Sequence, residues 1–201
     1  NERHALSADH NARVESSGNW FEGNGGEYEA ESYLISPVLL GGESYLQSES
    51  DTFQANPGGT IELAGASSAQ LMNVIMRGNA LWAHLYMAGS TRLDVVNGSL
   101  EGNEGAIYVG AGAHLSMRDS RLVGTSGQDA IIVEDDGQVS LLANLFEGNA
   151  YAGVSFAGRS GGVVAFNAFS GNLAGIVVMD DAQPELRENR MQGNGDDVLK
   201  L

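Results

Sequence analysis

Cysteine is absent from this chain of 201 residues, proline occurs three times and histidine four. Without cysteine there is no disulfide framework, no thiolate-bound metal and no thiol nucleophile. Basic side chains are scarce too: Lys and Arg total 10 against 26 Asp and Glu, a formal net charge of −16. A phosphate backbone or an anionic membrane surface would repel such a protein, so nucleic acid is excluded as a partner. That acidity suits solubility in a secreted or salt-exposed protein, or sites for Ca²⁺ or a cationic partner. No apolar run approaches the ~18 residues of a membrane span. The opening Asn1-Glu2-Arg3-His4 is not a signal peptide. The numbered chain therefore reads as a processed or excised segment, with an extracellular, cell-surface or periplasmic setting expected.

What the chain has in plenty is glycine, 28 residues of it, and much of it recurs in a short motif. Phe146-Glu147-Gly148-Asn149, Phe169-Ser170-Gly171-Asn172 and Met191-Gln192-Gly193-Asn194 are the clearest copies. Similar landmarks close at Asn24, Asn56, Asn79, Asn103 and Thr125, so the intervals are 32, 23, 24, 22, 24, 23 and 22. A fixed short period means a solenoid whose repeats bury their apolar faces by stacking on one another.

Within a period the pattern is that of strands. The turn that closes at Asn172 reads Val154-Ser155-Phe156, then Val163-Val164-Ala165-Phe166, then Asn167-Ala168-Phe169, with small polar and Gly residues between. Short pieces alternating in and out have a period of two residues. A repeat this short leaves no room for two packed helices, which argues against ankyrin-like and tetratricopeptide-like arrays, and no leucine-rich string is present. Superposed turns give apolar columns: Val38, Ile61, Leu85, Ile107, Ile131, Val154, Ile176 and Val198 in one, and Phe21, Phe53, Met76, Leu100, Leu122, Phe146, Phe169 and Met191 in another. These predict an all-β coil of three strands per turn, about eight turns of 22–24 residues, with rungs ~4.8 Å apart. Another column holds Asn19, Ser120, Asn144, Asn167 and Asn189, an asparagine ladder that satisfies bend backbone. The ladder breaks at Val74 and Gly98, where Asn73 and Asn97 sit one place earlier, and a locally different turn is expected there.

Phe-x-Gly-Asn followed by Gly-Ile, as in Asn172-Leu173-Ala174-Gly175-Ile176, resembles the right-handed parallel β-helix repeat of pectate-lyase-like proteins and their carbohydrate-binding and sugar-hydrolase relatives. Glu104-Gly105-Ala106-Ile107 is also similar to pieces of bacterial outer-membrane adhesins. The resemblance covers roughly residues 19–198 and implies a single-stranded right-handed parallel β-helix. Fold alone does not imply an activity. Residues 1–18 show no repeat and are expected to cap or link. An inserted loop is expected near 25–33, inside the long first interval, and residues 199–201 form a tail. The C-terminal end looks bare, as in a fragment of a longer chain or an oligomer.

Residues able to do chemistry are few. The register sets Asp136 one rung from Arg159, and Arg159 one rung from Asp181. The plainest reading is a surface ladder of alternating charge, worth about 0–1 kcal/mol per exposed pair. Two functional readings compete with it. Asp135, Asp136, Asp180 and Asp181 offer oxygen ligands for Ca²⁺, or Asp136 and Asp181 beside Arg159 cleave a glycan as general acid and base. The resemblance supports both, since pectate-lyase-like enzymes combine acidic Ca²⁺ ligands with an Arg base. A dense acidic cluster around a basic residue is missing, as is the Asp-Pro-His string of alginate epimerases, and no cofactor is required. His84 and His114 occupy different positions in their turns and are expected at the surface or in turns.

One outward column, where polar residues are expected, reads Leu39, Glu62, Tyr86, Tyr108, Ile132, Ser155 and Val177, and four of its five rungs from Tyr86 to Val177 are apolar or aromatic. Such stripes mark interaction surfaces, and tyrosines one rung apart can stack on sugar rings or anchor a protein. The leading expectation is a non-catalytic binding or adhesion module that presents Tyr86, Tyr108 and Ile132 to a polysaccharide or a surface protein. The alternative is a polysaccharide lyase or glycoside hydrolase using surface carboxylates. A third reading is a structural segment of a longer surface protein.

Overall fold

The computed structural model describes residues 4–27, 34–80 and 83–201. Three parallel sheets of nine, eight and eight strands run the length of one coil. Sheet A extends from Leu6–Ala8 to Asp196–Lys200, sheet B from Arg13–Ser17 to Gln183–Arg187, and sheet C from Trp20–Glu22 to Arg190–Gln192. One strand from each sheet makes a rung, and eight rungs are complete. No helix among the described residues is long and apolar enough to cross a membrane.

The rungs begin before residue 19. Leu6–Ala8 pairs with Val38–Leu40 and Arg13–Ser17 with Tyr45–Glu49, so part of the segment read as cap or linker supplies the first strands of sheets A and B. The insertion expected near 25–33 is framed by a short antiparallel pair, Gly26–Glu27 with Leu34–Ile35; residues 28–33 lie outside the described residues.

Alternation along each short strand puts one side chain in two into the coil, and the register stacks them by type. Ile61, Leu85, Ile107, Ile131, Val154 and Ile176 stand in line, all without solvent exposure. In sheet C, Phe53, Met76, Leu100, Leu122, Phe146 and Phe169 do the same at no more than 3% exposure. Gly162 faces the core between Val139 and Pro184 with φ 123°, and a Cβ there would stand 1.9 Å from the Val139 carbonyl oxygen. Only glycine fits that contact.

Asparagines close the corners. At the B–C bend, Asn144 Nδ2 donates to Asn167 Oδ1 at 3.0 Å and Asn167 Nδ2 to Asn189 Oδ1 at 3.1 Å. A second ladder runs through the landmark asparagines at the bend back to sheet A: Asn56 to Asn79 and Asn79 to Asn103, both 2.9 Å, then Asn149 to Asn172 at 2.8 Å. The sequence pattern marked those residues as landmarks without showing that they bond to one another.

The different turn expected at Asn73 and Asn97 does not occur. In every rung the B–C bend contains one residue of positive φ, from Gly18 (64°) through Asn73 (56°) and Asn97 (53°) to Glu188 (47°). The backbone bonds beside it also continue, with Ile75 N donating to Asp51 O at 3.0 Å and Ser99 N to Val74 O at 2.9 Å. What changes is the side chain alone. Val74 is fully buried, while Asn97 Nδ2 donates to Asn73 Oδ1 outside the coil at 2.8 Å.

Candidate functional site

The outward positions of sheet A bring Glu62, Tyr86, Tyr108, Ile132, Ser155 and Val177 into one column, each paired with the next in register. Tyr86, Tyr108 and Ile132 are half-buried, and Ser155 is 3% exposed. The tyrosine rings stack on each other, centroids 5.1 Å apart and planes 3° from parallel. One face of each ring is therefore taken by the other. A sugar ring cannot slot between the two.

Neighbours fix this pair. The Tyr108 hydroxyl donates to Glu134 Oε2 at 3.1 Å. Burial and then the Glu134 charge push the phenol up to about 12. The ring lies over Gly110, where a Cβ would stand 2.6 Å from Tyr108 Cε1, so the absent side chain is what admits the ring. Below the pair, burial raises the carboxyl of half-buried Glu62 above its ordinary range, with His4 partly offsetting it. Glu62 was legible as a column member. Glu134 and Gly110 sit in another column, and nothing in the sequence pointed to their contact with Tyr108.

His84 corrects the expectation of a surface or turn histidine. The register shifts between Ala83 and Leu85, and this bulge gives His84 an inward place at 2% exposure. Its Nδ1 lies 2.9 Å from the Gly105 carbonyl oxygen, while Nε2 is buried with no partner among the described residues. Burial lowers its basicity to about 4, against smaller opposing effects from the Gly105 and Ala106 backbone.

The acidic pairs lie at the A–B bend. Asp135 and Asp180 occupy positive-φ positions, both at 55°, a conformation that Asp tolerates. Asp180 Oδ2 also accepts from Gly158 N at 3.1 Å. The first residue of each pair thus has a turn-forming role. Arg159 lies in the rung between the pairs and forks onto Asp136, Nε to Oδ1 and Nη2 to Oδ2, both 2.9 Å. The guanidinium holds the Asp136 carboxyl below the usual carboxylate range. Asp181 lies beyond Arg159, at a shallow hollow of about 320 Å³ that Gln138, Gly161 and Gln183 also line. Among the described residues no three His, Asp or Glu side chains are grouped to hold a metal ion. A cation of the protein's own, Arg159, thus stands in the rung between the two acidic pairs and is ion-paired with Asp136 at the surface.

A family model described as right handed beta helix region matches residues 105–201. The coil built by all three sheets and this match over residues 105–201 together support the right-handed β-helix repeat family. Comparison with curated proteins and with solved structures finds no match.

Proposed function

We propose that this β-helix is a non-catalytic binding module of the cell surface or extracellular space, presenting the outer face of sheet A to a glycan or a surface protein. The observation that carries the proposal is the half-buried column Tyr86–Tyr108–Ile132 with the Tyr108 hydroxyl anchored on Glu134. Tyrosine offers large contact area with a polar tip, and a ring already fixed loses little entropy on binding. Glu62 and Glu134 on this face favour a neutral or cationic ligand over a polyanion. Cleavage is less well served. Asp136 is held ionised by Arg159, which suits a general base but not the general acid that must carry a proton to give.

Electrophoresis through gels cast with neutral, cationic and acidic polysaccharides tests the proposal. Wild type is expected to be retarded by a neutral or cationic polymer without breaking it down, and the doubly substituted Tyr86→Ala, Tyr108→Ala protein to run freely while still folded. Equal retardation of both proteins would remove the tyrosine face from the reading; clearing of the embedded polymer would make the protein an enzyme.

A further inference from the structure

Sheet B is a regular surface with one gap. Glycine occurs in only one of its eight strands, and there twice, as Gly161 and Gly162 of the seventh rung (152–170). Glycine weakens a strand and marks places where another group approaches the backbone closely. Gly162 answers to its contact with the Val139 carbonyl. Gly161 lacks that reason. Its φ is not positive, and a Cβ there would meet Gln183 O at 3.1 Å, a contact that a small shift relieves.

The register gives the gap its chemistry. The outward column reads His114, Gln138, Gly161, Gln183. Two carboxamides therefore stand two rung steps apart over bare backbone, about 10 Å at ~4.8 Å per step. At the B–C bend the same three rungs carry a complete amide ladder, Asn144 to Asn167 to Asn189, bonded at 3.0 and 3.1 Å. On the outer face the middle member is absent. Gln138 Oε1 lies 3.8 Å from the place a Gly161 Cβ would take, at the edge of the gap.

This gap is part of the hollow of about 320 Å³ that Arg159 and Asp181 also line. Arg159 uses Nε and Nη2 on Asp136, which leaves Nη1 over. Among the described residues, the Asp181 carboxylate and the side-chain amides of Gln138 and Gln183 make no hydrogen bond. Ser160, in the same lining, is 1% exposed, and its Oγ has no partner among the described residues. Buried hydroxyls are ordinarily bonded.

We propose that this hollow binds a primary carboxamide, the side-chain group of asparagine and glutamine, seated over Gly161 as the missing member of the outer ladder. Such a group has two N–H donors and a carbonyl oxygen with two lone pairs. Gln138 Oε1 and the Asp181 carboxylate accept from the two donors, and Gln183 Nε2 and Arg159 Nη1 donate to the carbonyl. A carboxylate in the same place has no donor for Gln138 and is repelled by Asp181. A secondary acetamide has one N–H and leaves Asp181 without a partner. The site lies on sheet B and does not depend on the sheet A face or its ligand.

The test uses the whole chain, isotope-labelled, and follows by NMR the backbone signal of Gly161 and the side-chain amide signals of Gln138 and Gln183. The probes are free glutamine, the blocked peptide acetyl-Gly-Gln-Gly-N-methylamide, the same peptide with Glu for Gln, and N-acetylglucosamine. Saturable shifts at these three residues are expected with the Gln peptide and none with the Glu peptide. Equal shifts with free glutamine would assign the site to a small amide; shifts with the peptide alone would assign it to a side chain of a protein partner. Gly161→Gln is expected to fill the gap with its own amide, keep the fold and abolish the shifts. Gln138→Leu with Gln183→Leu, at exposed positions, is expected to weaken binding about tenfold, read at Gly161, for the hydrogen bonds lost. That variant decides the matter if Gly161→Gln does not fold. Three results would each overturn the inference: neither Gln probe shifts these signals, the Glu peptide binds as well as the Gln peptide, or the folded double Leu variant binds as well as wild type. Shifts with N-acetylglucosamine in place of the Gln probes would overturn it in favour of an acetamido sugar.

Discussion

Phe146 and Phe169 inside the coil and Tyr86 and Tyr108 outside it are one arrangement in two surroundings. The phenylalanine rings stand 4.6 Å apart and 5° from parallel, the tyrosine rings 5.1 Å and 3°. Rung spacing alone brings any two aromatic residues of one column into this stack, whichever side of the sheet they occupy. What differs is what surrounds the stack. Phe146 and Phe169 are wholly buried, so their area is removed from water and contributes to stability. Tyr86 and Tyr108 are half-buried and hold less of that energy, and the polar tip of Tyr108 is tied to Glu134. Stacking geometry is therefore poor evidence of role, and burial decides it.

The sharpest way to break the comparison is to truncate its inner member. Phe169→Ala leaves a cavity against Phe146 and is expected to cost about 3–5 kcal/mol, as for buried aromatics generally. Tyr86→Ala removes a ring from the outer stack and is expected to cost about 1 kcal/mol. Denaturant unfolding of both variants measures the contrast; equal losses would show that the outer pair is a piece of core.

His84 gives the next largest effect, and it comes from a side chain that changed sides. Its folded basicity, lowered to about 4 from 6.5, means that the unfolded chain takes up the proton first as pH falls. The stability tied to neutral His84 is therefore complete above about pH 6.5 and lost as pH drops toward 4, roughly 3 kcal/mol in all. Denaturant midpoints at pH 7, 5.5 and 4 are expected to fall more steeply for wild type than for His84→Gln. Parallel curves would mean that the bulge opens and hydrates His84 freely.

That residue also marks how far the sequence could be read. Columns of Ile, Val, Leu and Phe gave the coil, its strand count per turn and its core, because a period of two within a period near 23 leaves few other solutions. One extra residue between Ala83 and Leu85 was enough to move His84 from outside to inside, since a slip of one residue in a strand exchanges its faces. The landmark asparagines were visible as a repeat, yet their bonding was not, because a ladder needs side-chain direction as well as spacing. Tyr86, Tyr108 and Ile132 were legible as a column for the same reason as the core. The Glu134 anchor was not, as it reaches across from the next rung in a column where Gly110 leaves room. Register set Arg159 in the rung between Asp136 and Asp181, but spacing alone could not show that its guanidinium forks onto Asp136.

Gly110→Ala sharpens the comparison from the outside. A Cβ there meets the Tyr108 ring at 2.6 Å, and the ring must swing away from Tyr86 and Glu134. Because the ring is half-buried and can move, the expected loss is only about 1 kcal/mol. Retardation by the polysaccharide that wild type binds is expected to fall far more, as the fixed orientation is lost. A crystal structure of the variant showing Tyr108 unmoved would defeat this account.

The smallest effect is spectroscopic and addresses the polar tip that the inner pair lacks. A phenol pushed up to about 12 stays protonated when ordinary tyrosines near 10 have ionised. Its folded value lies above its unfolded one, so neutral Tyr108 contributes stability that is fully present below pH 10 and lost as pH rises toward 12. Tyrosinate absorbance across pH 9–12 is expected to show one late-titrating group in wild type, missing from Tyr108→Phe and shifted earlier in Glu134→Gln. Burial is the larger cause, so the Glu134→Gln shift should be partial, and the ring without its hydroxyl should still stack. If Glu134→Gln leaves the late titration where it was, the Tyr108–Glu134 bond does not hold the tip of the outer pair, and ring burial alone accounts for its order.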